Sequence, residues 1–130
     1  MKRVGLGFLL LPIIVFASAN AFGGDEWAWE FGVDGNQLIA ACTPAVQMLD
    51  EPSRKFTQQE SYNIGYCHGF VSGIADSTQN DASIMGTPRG QLVRVVQKYL
   101  VDHPEKLSLS SSFLVREALI KAFPRVPKGK

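Results

Sequence analysis

Apolar residues recur at helical spacing in the C-terminal half of this chain, and that pattern decides its fold class. In residues 91–102, QLVRVVQKYLVD, the apolar positions follow one another at intervals of three and four, which places them on one face of a helix. Those positions are Leu92, Val95, Val96, Tyr99 and Leu100. A second set repeats the pattern further along: Val115, Ala118, Leu119, Ala122 and Phe123. These segments predict two amphipathic helices packed on a common core.

Prolines and small polar residues give the ends of these two helices. Thr87 suits an N-cap and Pro88 the first helical position of the earlier one, which ends before Pro104. Serines at residues 108–112 offer N-caps for the later helix, and Pro124 stops it.

Two more helices are predicted upstream. The first begins at about residue 36 and is bent or restarted near residue 43, because Thr43 and Pro44 suit the start of a fresh turn. The second runs over about residues 58–77 after a polar loop. With no long segment of strand-type alternation, the sequence predicts an all-α, compact four-helix domain over residues 36–124, followed by a basic tail, residues 125–130.

The N-terminus has the pattern of a secretory signal peptide. Lys2 and Arg3 precede an apolar run of about 14 residues, and the small residues of Ala19–Ala21 form an A-x-A cleavage site. A membrane anchor is the alternative, but the run is shorter than the roughly 20 residues that span a bilayer, and it contains Pro12. We therefore expect residues 1–21 to be removed, leaving an exported, periplasmic protein with no membrane segment.

The chain has two cysteines, Cys42 and Cys67, and an exported protein keeps disulfides. A zinc site with His68 and His103 would be the alternative, but no pair has typical zinc-ligand spacing. A catalytic Cys67–His68 pair is also disfavoured, since neighbours on a helix point about 100° apart. The sequence predicts a Cys42–Cys67 disulfide between the first two helices, and neither a metal nor a cofactor.

The second helix carries Gly65, Gly69 and Gly73 at intervals of four, in the segment GYCHGFVSGIAD. Each glycine costs a helix roughly 1 kcal/mol relative to alanine. We expect this stripe to be a helix-packing surface on which another backbone approaches closely, next to Cys67. A nucleotide-binding loop is excluded, because no strand precedes the stripe and the spacing is not G-x-G-x-x-G.

An acidic and aromatic arm, residues 22–35, precedes the helices. Trp27, Trp29 and Phe31 alternate in it, as they would on one face of an extended segment. Two interpretations stay open: a lid packed on the domain, or an aromatic contact for a partner.

The segment between the second and third helices, residues 77–88, is polar and rich in turn-forming residues, which predicts an exposed loop. Recognition commonly uses such loops. Asp81, Ile84 and Met85 offer one charge and two apolar anchors, and we take them as candidate partner contacts.

Composition and side-chain pattern give little support to enzyme or nucleic-acid functions. The formal net charge of +1 suggests no nucleic-acid partner. His68, His103 and Asp76 are the residues a small hydrolase would use, but packing and helix-end roles explain them better. An enzyme stays the least favoured alternative.

Three segments together resemble the Rap/Tai family of type VI secretion immunity proteins. They are CHGFVSGIAD, QLVRVVQKYLVDHPEKL and LVREALIKAFP, and the resemblance covers about residues 34–125. Each segment alone is weak evidence for the family, whereas the order and spacing of the three together are fairly specific to it.

The resemblance implies an inhibitor and not an enzyme. Such proteins are small, helical, periplasmic and often homodimeric, and they cover the active-site cleft of a peptidoglycan amidase delivered by another cell. The alternative is an orphan envelope protein of the same fold with a housekeeping or stress-chaperone role. A toxin gene directly upstream would favour immunity.

This sequence departs from the family pattern at one cysteine pair, whose places hold Ala82 and Arg125. One disulfide is thus absent without leaving an orphan thiol. We expect the loop of residues 77–88 to be less tethered as a result.

Overall fold

The structure, a computed structural model, describes residues 34–125. Within this range the chain forms four α-helices, a single 3-10 turn and no strand, which confirms the all-α fold. The helices are α1 (Gly35–Asp50), α2 (Gln58–Thr78), α3 (Arg89–Asp102) and α4 (Ser111–Ala122), and the 3-10 turn is Pro104–Lys106. The predicted signal peptide, nearly all of the arm and most of the basic tail lie outside the described residues.

Helix α1 is continuous over Gly35–Asp50, so the expected restart near residue 43 is wrong. Asp34 caps it by accepting a hydrogen bond from the amide of Gln37 at 3.0 Å. Pro44 lies inside the helix and is buried. A proline there costs about 3 kcal/mol, but buried residues of one face lie on both sides of it, and breaking the helix would separate them. These residues are Leu38, Ala41, Cys42 and Ala45.

Helix α2 begins where the sequence predicted and ends one residue later. Thr57 and Glu60 form a capping box, in which each side chain accepts a hydrogen bond from the other residue's amide. Arg54 adds a salt bridge of 2.8 Å to Glu60. The polar loop before α2 is thus fixed to the first turn of the helix.

The start of α3 differs by one residue from the expectation. Pro88 is the N-cap and Arg89 the first helical residue, while the amide of Thr87 closes a turn onto the carbonyl of Ile84. Helix α4 begins as expected among the serines, and the hydroxyl of Ser111 is buried and bonds the carbonyl of Asp34 at 2.6 Å.

One hydrophobic core joins all four helices. Its fully buried large side chains include Leu38, Val71, Val96, Leu100 and Leu114. The predicted disulfide between Cys42 and Cys67 is present, with the two α-carbons 5.1 Å apart, and it joins α1 to α2 within this core. Because both cysteines are buried, the bridge also adds apolar contact.

The glycine stripe of α2 is not a packing surface within the described residues, and that expectation is wrong. Gly65, Gly69 and Gly73 are exposed, and a β-carbon on any of them would meet no atom of a neighbouring element within 4 Å. Cys67 and Val71, on the opposite face, make the buried contacts of this helix. Spacing identified a shared face correctly but not which way that face points.

Close backbone packing occurs instead at Gly35. A β-carbon there would lie 2.6 Å from Cδ1 of Leu114 and 3.0 Å from the α-carbon of Leu107. The absence of a side chain at this position therefore lets α1 begin directly against the start of α4.

Candidate recognition surface

The segment that joins α2 to α3, residues 79–88, is only partly exposed. Ala82 is 2% exposed and Ile84 is 5% exposed, and both belong to the core. The expectation that Ile84 offers an apolar anchor to a partner is therefore wrong, because its side chain is already buried inside the domain. Because most residues of the segment are polar, the sequence did not indicate that Ala82 and Ile84 belong to the core.

Four contacts tether this loop to α4 and to the residues that follow it. Ala82 and Pro124 form an antiparallel β-bridge, with the amide of Ser83 donating to the carbonyl of Phe123 at 2.9 Å. Asp81 forms a salt bridge of 2.7 Å with Arg116. The guanidinium of Arg125 donates to the backbone carbonyl of Asn80.

These contacts correct the expectation of a loosely held loop. Ala82 pairs with the neighbour of Arg125, so the two places where the resembling family usually carries cysteines do come together. Backbone hydrogen bonds and burial hold the loop there without a covalent bridge. Deleting a disulfide does not free a loop whose apolar side chains remain in the core.

Met85 is the most exposed large apolar side chain of the described residues, at 83%. It occupies the second position of a turn in which the amide of Thr87 donates to the carbonyl of Ile84 at 3.0 Å. Gly86 follows with a φ of +82°, the conformation that the third position of a type II turn requires. Since Ile84 anchors one side of the turn, Met85 is presented on a fixed tip.

A shallow cleft of about 180 Å³ lies beside this tip. Ser72 and Asp76 of α2 form one wall, and Arg89 at the start of α3 forms another. At 100° per residue, Asp76 falls within about 20° of Gly65 and Gly69 around α2. The exposed glycines therefore lie on the same side of α2 as Asp76, in the turns of the helix that precede the cleft. We call Met85, this cleft and the glycine stripe the recognition surface.

Of the three residues proposed as partner contacts, only two are open to a partner. Met85 is free, and Asp81 is exposed but paired with Arg116. Sequence reasoning missed the cleft, since it forms between two elements that are distant along the chain.

The three hydrolase candidates do not form one site, because His68 and Asp76 lie more than two turns apart on α2 and His103 lies at the end of α3. Asp76 lines the cleft beside Met85, whereas His103 lies at the end of α3, stacked on Tyr99 with ring centroids 4.1 Å apart. His68 is half-buried in the middle of α2; burial, and secondarily the positive charge of Arg89, lowers its pKa. Asp76 and His103 thus line separate depressions.

A charged cluster around Tyr99 escaped the sequence analysis. Lys106 donates to the hydroxyl of Tyr99 at 3.0 Å and to Glu117 at 2.8 Å. Lys121 lies 3.2 Å from the same carboxylate. The hydrogen bond from Lys106 lowers the pKa of Glu117 to about 2, and the pKa of Lys106 is raised in turn. This cluster fastens the 3-10 turn to α3 and α4.

No group of three or more histidine, cysteine, aspartate or glutamate side chains within residues 34–125 is arranged to hold a metal ion. No helix in the same range combines the length and apolar character of a membrane span.

A family model described as Rap1a immunity proteins matches residues 34–124. The match begins at the N-cap of α1 and ends at Pro124, the partner of Ala82, so it covers the four-helix unit. No curated protein gave a significant match.

The fold and the match together define a small helical immunity protein. The chain belongs to the Rap1a immunity protein family. The resemblance found in the sequence is thereby confirmed.

Proposed function

We propose that this chain is a periplasmic immunity protein that binds a peptidoglycan amidase delivered by type VI secretion and covers its active-site cleft. The match to Rap1a immunity proteins over the whole four-helix unit is the observation that carries the proposal. The signal-peptide pattern of residues 1–21 supports the periplasmic location. A toxin that cleaves peptidoglycan acts at the cell wall, so its inhibitor must be exported to the same compartment.

Recognition through the surface around Met85 is supported by its rigidity and shape. A protein inhibitor gains affinity when its contact surface is already fixed before binding, because less conformational entropy is lost. The β-bridge, the buried Ile84 and the Asp81–Arg116 salt bridge fix this loop. Met85 then offers a flexible apolar side chain that adapts to a cavity in the partner.

The proposed contact predicts how single substitutions act. Met85→Asp puts a charge at the tip and should weaken binding of the cognate toxin at least tenfold, about 1.4 kcal/mol. Val101→Asp is the matched control, since Val101 is also an exposed apolar residue but lies at the far end of α3. Both variants should keep the thermal midpoint of the parent protein.

The toxin is first identified by pull-down from envelope extracts with the purified protein as bait. Its affinity for the parent protein and for the two variants is then measured by calorimetry, and inhibition is followed on purified peptidoglycan. Equal affinity of Met85→Asp and the parent protein would refute the contact surface. If no amidase is bound or inhibited, the chain is an orphan envelope protein of the same fold.

Sedimentation of the purified protein tests the expected homodimer. The family resemblance supports a dimer, and a monomer mass over the micromolar range would reject it.

A further inference from the structure

Arg89 is the one arginine of residues 34–125 whose guanidinium forms neither a salt bridge nor a hydrogen bond within that range. The other four are paired: Arg54 with Glu60, Arg94 with Asp50, Arg116 with Asp81, and Arg125 with the carbonyl of Asn80. A guanidinium has several N–H donors in a fixed plane. Arg89 therefore keeps all of these donors for a second molecule.

The side chain of Arg89 lines the cleft beside Met85. Asp76, on the wall that α2 forms, accepts a hydrogen bond of 3.3 Å from the side-chain amide of Gln79. Arg89 and Asp76 form no salt bridge with each other, so their charged atoms lie more than 4 Å apart. The cleft thus contains a carboxylate that is already hydrogen-bonded within the domain and a guanidinium that is not.

The positive charge of Arg89 acts on α2. His68 is partly buried, and burial lowers the pKa of its imidazole, which the charge of Arg89 lowers further. His68 lies one turn before Ser72, which lines the cleft. Because water and salt screen charges over about 10 Å, this effect requires the guanidinium to lie near α2. Arg89 is therefore directed across the cleft and not away from it.

A carboxylate is the group that this position accepts best. The planar guanidinium donates to both oxygens of a carboxylate at once, which gives a strong and directional ion pair. Met85, 83% exposed on the fixed turn beside the cleft, is suited to an apolar cavity in the partner. A matching partner surface therefore combines an apolar cavity with an acidic side chain next to it.

We propose that Arg89 pairs with an aspartate or glutamate side chain of the toxin, next to the apolar cavity that receives Met85, and that this ion pair selects among toxins by charge. This inference rests on the proposed function, because it requires the recognition surface to contact an amidase. A toxin with a neutral or basic residue at that position would leave the guanidinium without an acceptor once the interface excludes water. Such a mismatch lowers affinity, so Arg89 acts against the wrong toxins as well as for the right one.

Calorimetry with the amidase recovered by the pull-down tests this pairing. Arg89→Gln removes the charge and should weaken binding at least tenfold. Arg89→Lys keeps the charge without the planar donors, and its affinity should lie between those of the parent protein and Arg89→Gln. Arg94→Gln is the matched control, since Arg94 is an exposed arginine of the same helix that pairs with Asp50 and does not line the cleft. It should change the affinity by less than about twofold.

Salt and a substitution on the facing wall identify the sign of the partner's charge. Raising the NaCl concentration should weaken binding of the parent protein more than binding of Arg89→Gln, because salt screens the ion pair that the variant lacks. Asp76→Asn should strengthen binding, because it removes the repulsion between two carboxylates in one cleft. Circular dichroism and the thermal midpoint verify that each variant is folded.

The outcomes separate this inference from the function on which it rests. If the parent protein inhibits the amidase and Arg89→Gln binds it equally tightly, the inference is wrong and the proposed function stands. Weaker binding by Asp76→Asn, with Arg89→Gln unchanged, would show that the partner presents a basic group and would also overturn the inference. If the parent protein binds no amidase, the proposed function is rejected and the inference with it.

Discussion

The amide nitrogen of Gly35 lies 2.8 Å from the carbonyl oxygen of Leu107, and a β-carbon on Gly35 would lie 3.0 Å from the α-carbon of Leu107. The start of α1 and the segment leading into α4 are thus in direct backbone contact. Gly35→Ala should destabilise the domain by about 1–3 kcal/mol, because an added methyl group overfills this contact. Urea denaturation followed by circular dichroism measures the change.

The glycines of α2 should behave in the opposite way. Gly69→Ala adds a methyl group on an exposed face with no neighbouring element in contact. The gain in helix propensity predicts a stabilisation of up to about 1 kcal/mol. A loss of stability in the same urea experiment would mean that a segment beyond residues 34–125 packs on this stripe.

Neighbouring residues of the loop should differ sharply in their effect on stability. Ile84→Ala removes a side chain that is 5% exposed and should cost about 2–5 kcal/mol. Met85→Ala, the matched control, removes one that is 83% exposed and should change stability by less than about 0.5 kcal/mol. Equal thermal midpoints for the two variants would contradict the burial of Ile84. A variant with both residues replaced would therefore not distinguish a loss of partner binding from a loss of stability.

Removing the disulfide should cost about 2–4 kcal/mol, since it restrains the unfolded chain between two positions 25 residues apart. The comparison is between the parent protein and the double variant Cys42→Ser, Cys67→Ser. Dithiothreitol should lower the urea midpoint of the parent protein and leave that of the double variant unchanged. A parent protein insensitive to reductant would show that the bridge contributes little.

Acid should weaken the domain partly through Glu117. Its pKa is held at about 2 in the folded protein, against an ordinary value of 4.5. A lowered acid pKa stabilises the fold above the unfolded value, so this contribution is present above about pH 4.5 and disappears as the pH falls toward 2. Glu117→Gln should thus be less stable than the parent protein at pH 7, with the difference vanishing near pH 2.

Glu105→Gln is the control for that pH series, because Glu105 is exposed and forms no salt bridge among the described residues. A constant difference between Glu117→Gln and the parent protein from pH 7 to pH 2 would show that packing, and not charge, stabilises this position.

The four helices could be predicted from the sequence because their signals are local. Apolar spacing at three and four residues, the serines at the start of α4 and the stop at Pro124 all act within one or two turns. The Cys42–Cys67 pairing also needed no coordinates, since the chain has two cysteines. The match to the immunity family spans these same helices, over residues 34–124.

Tertiary packing decided what local signals leave open. A helix with glycines at every fourth residue has a bare face in any fold, and only the positions of its neighbours show that this face points outward. Ile84 and Met85 are adjacent apolar residues in a polar loop, yet the β-bridge of Ala82 to Pro124 directs one into the core and leaves the other exposed. The sequence therefore determined the four helices and the disulfide that joins the first two. The packing of residues distant along the chain determined which surfaces remain open to a partner.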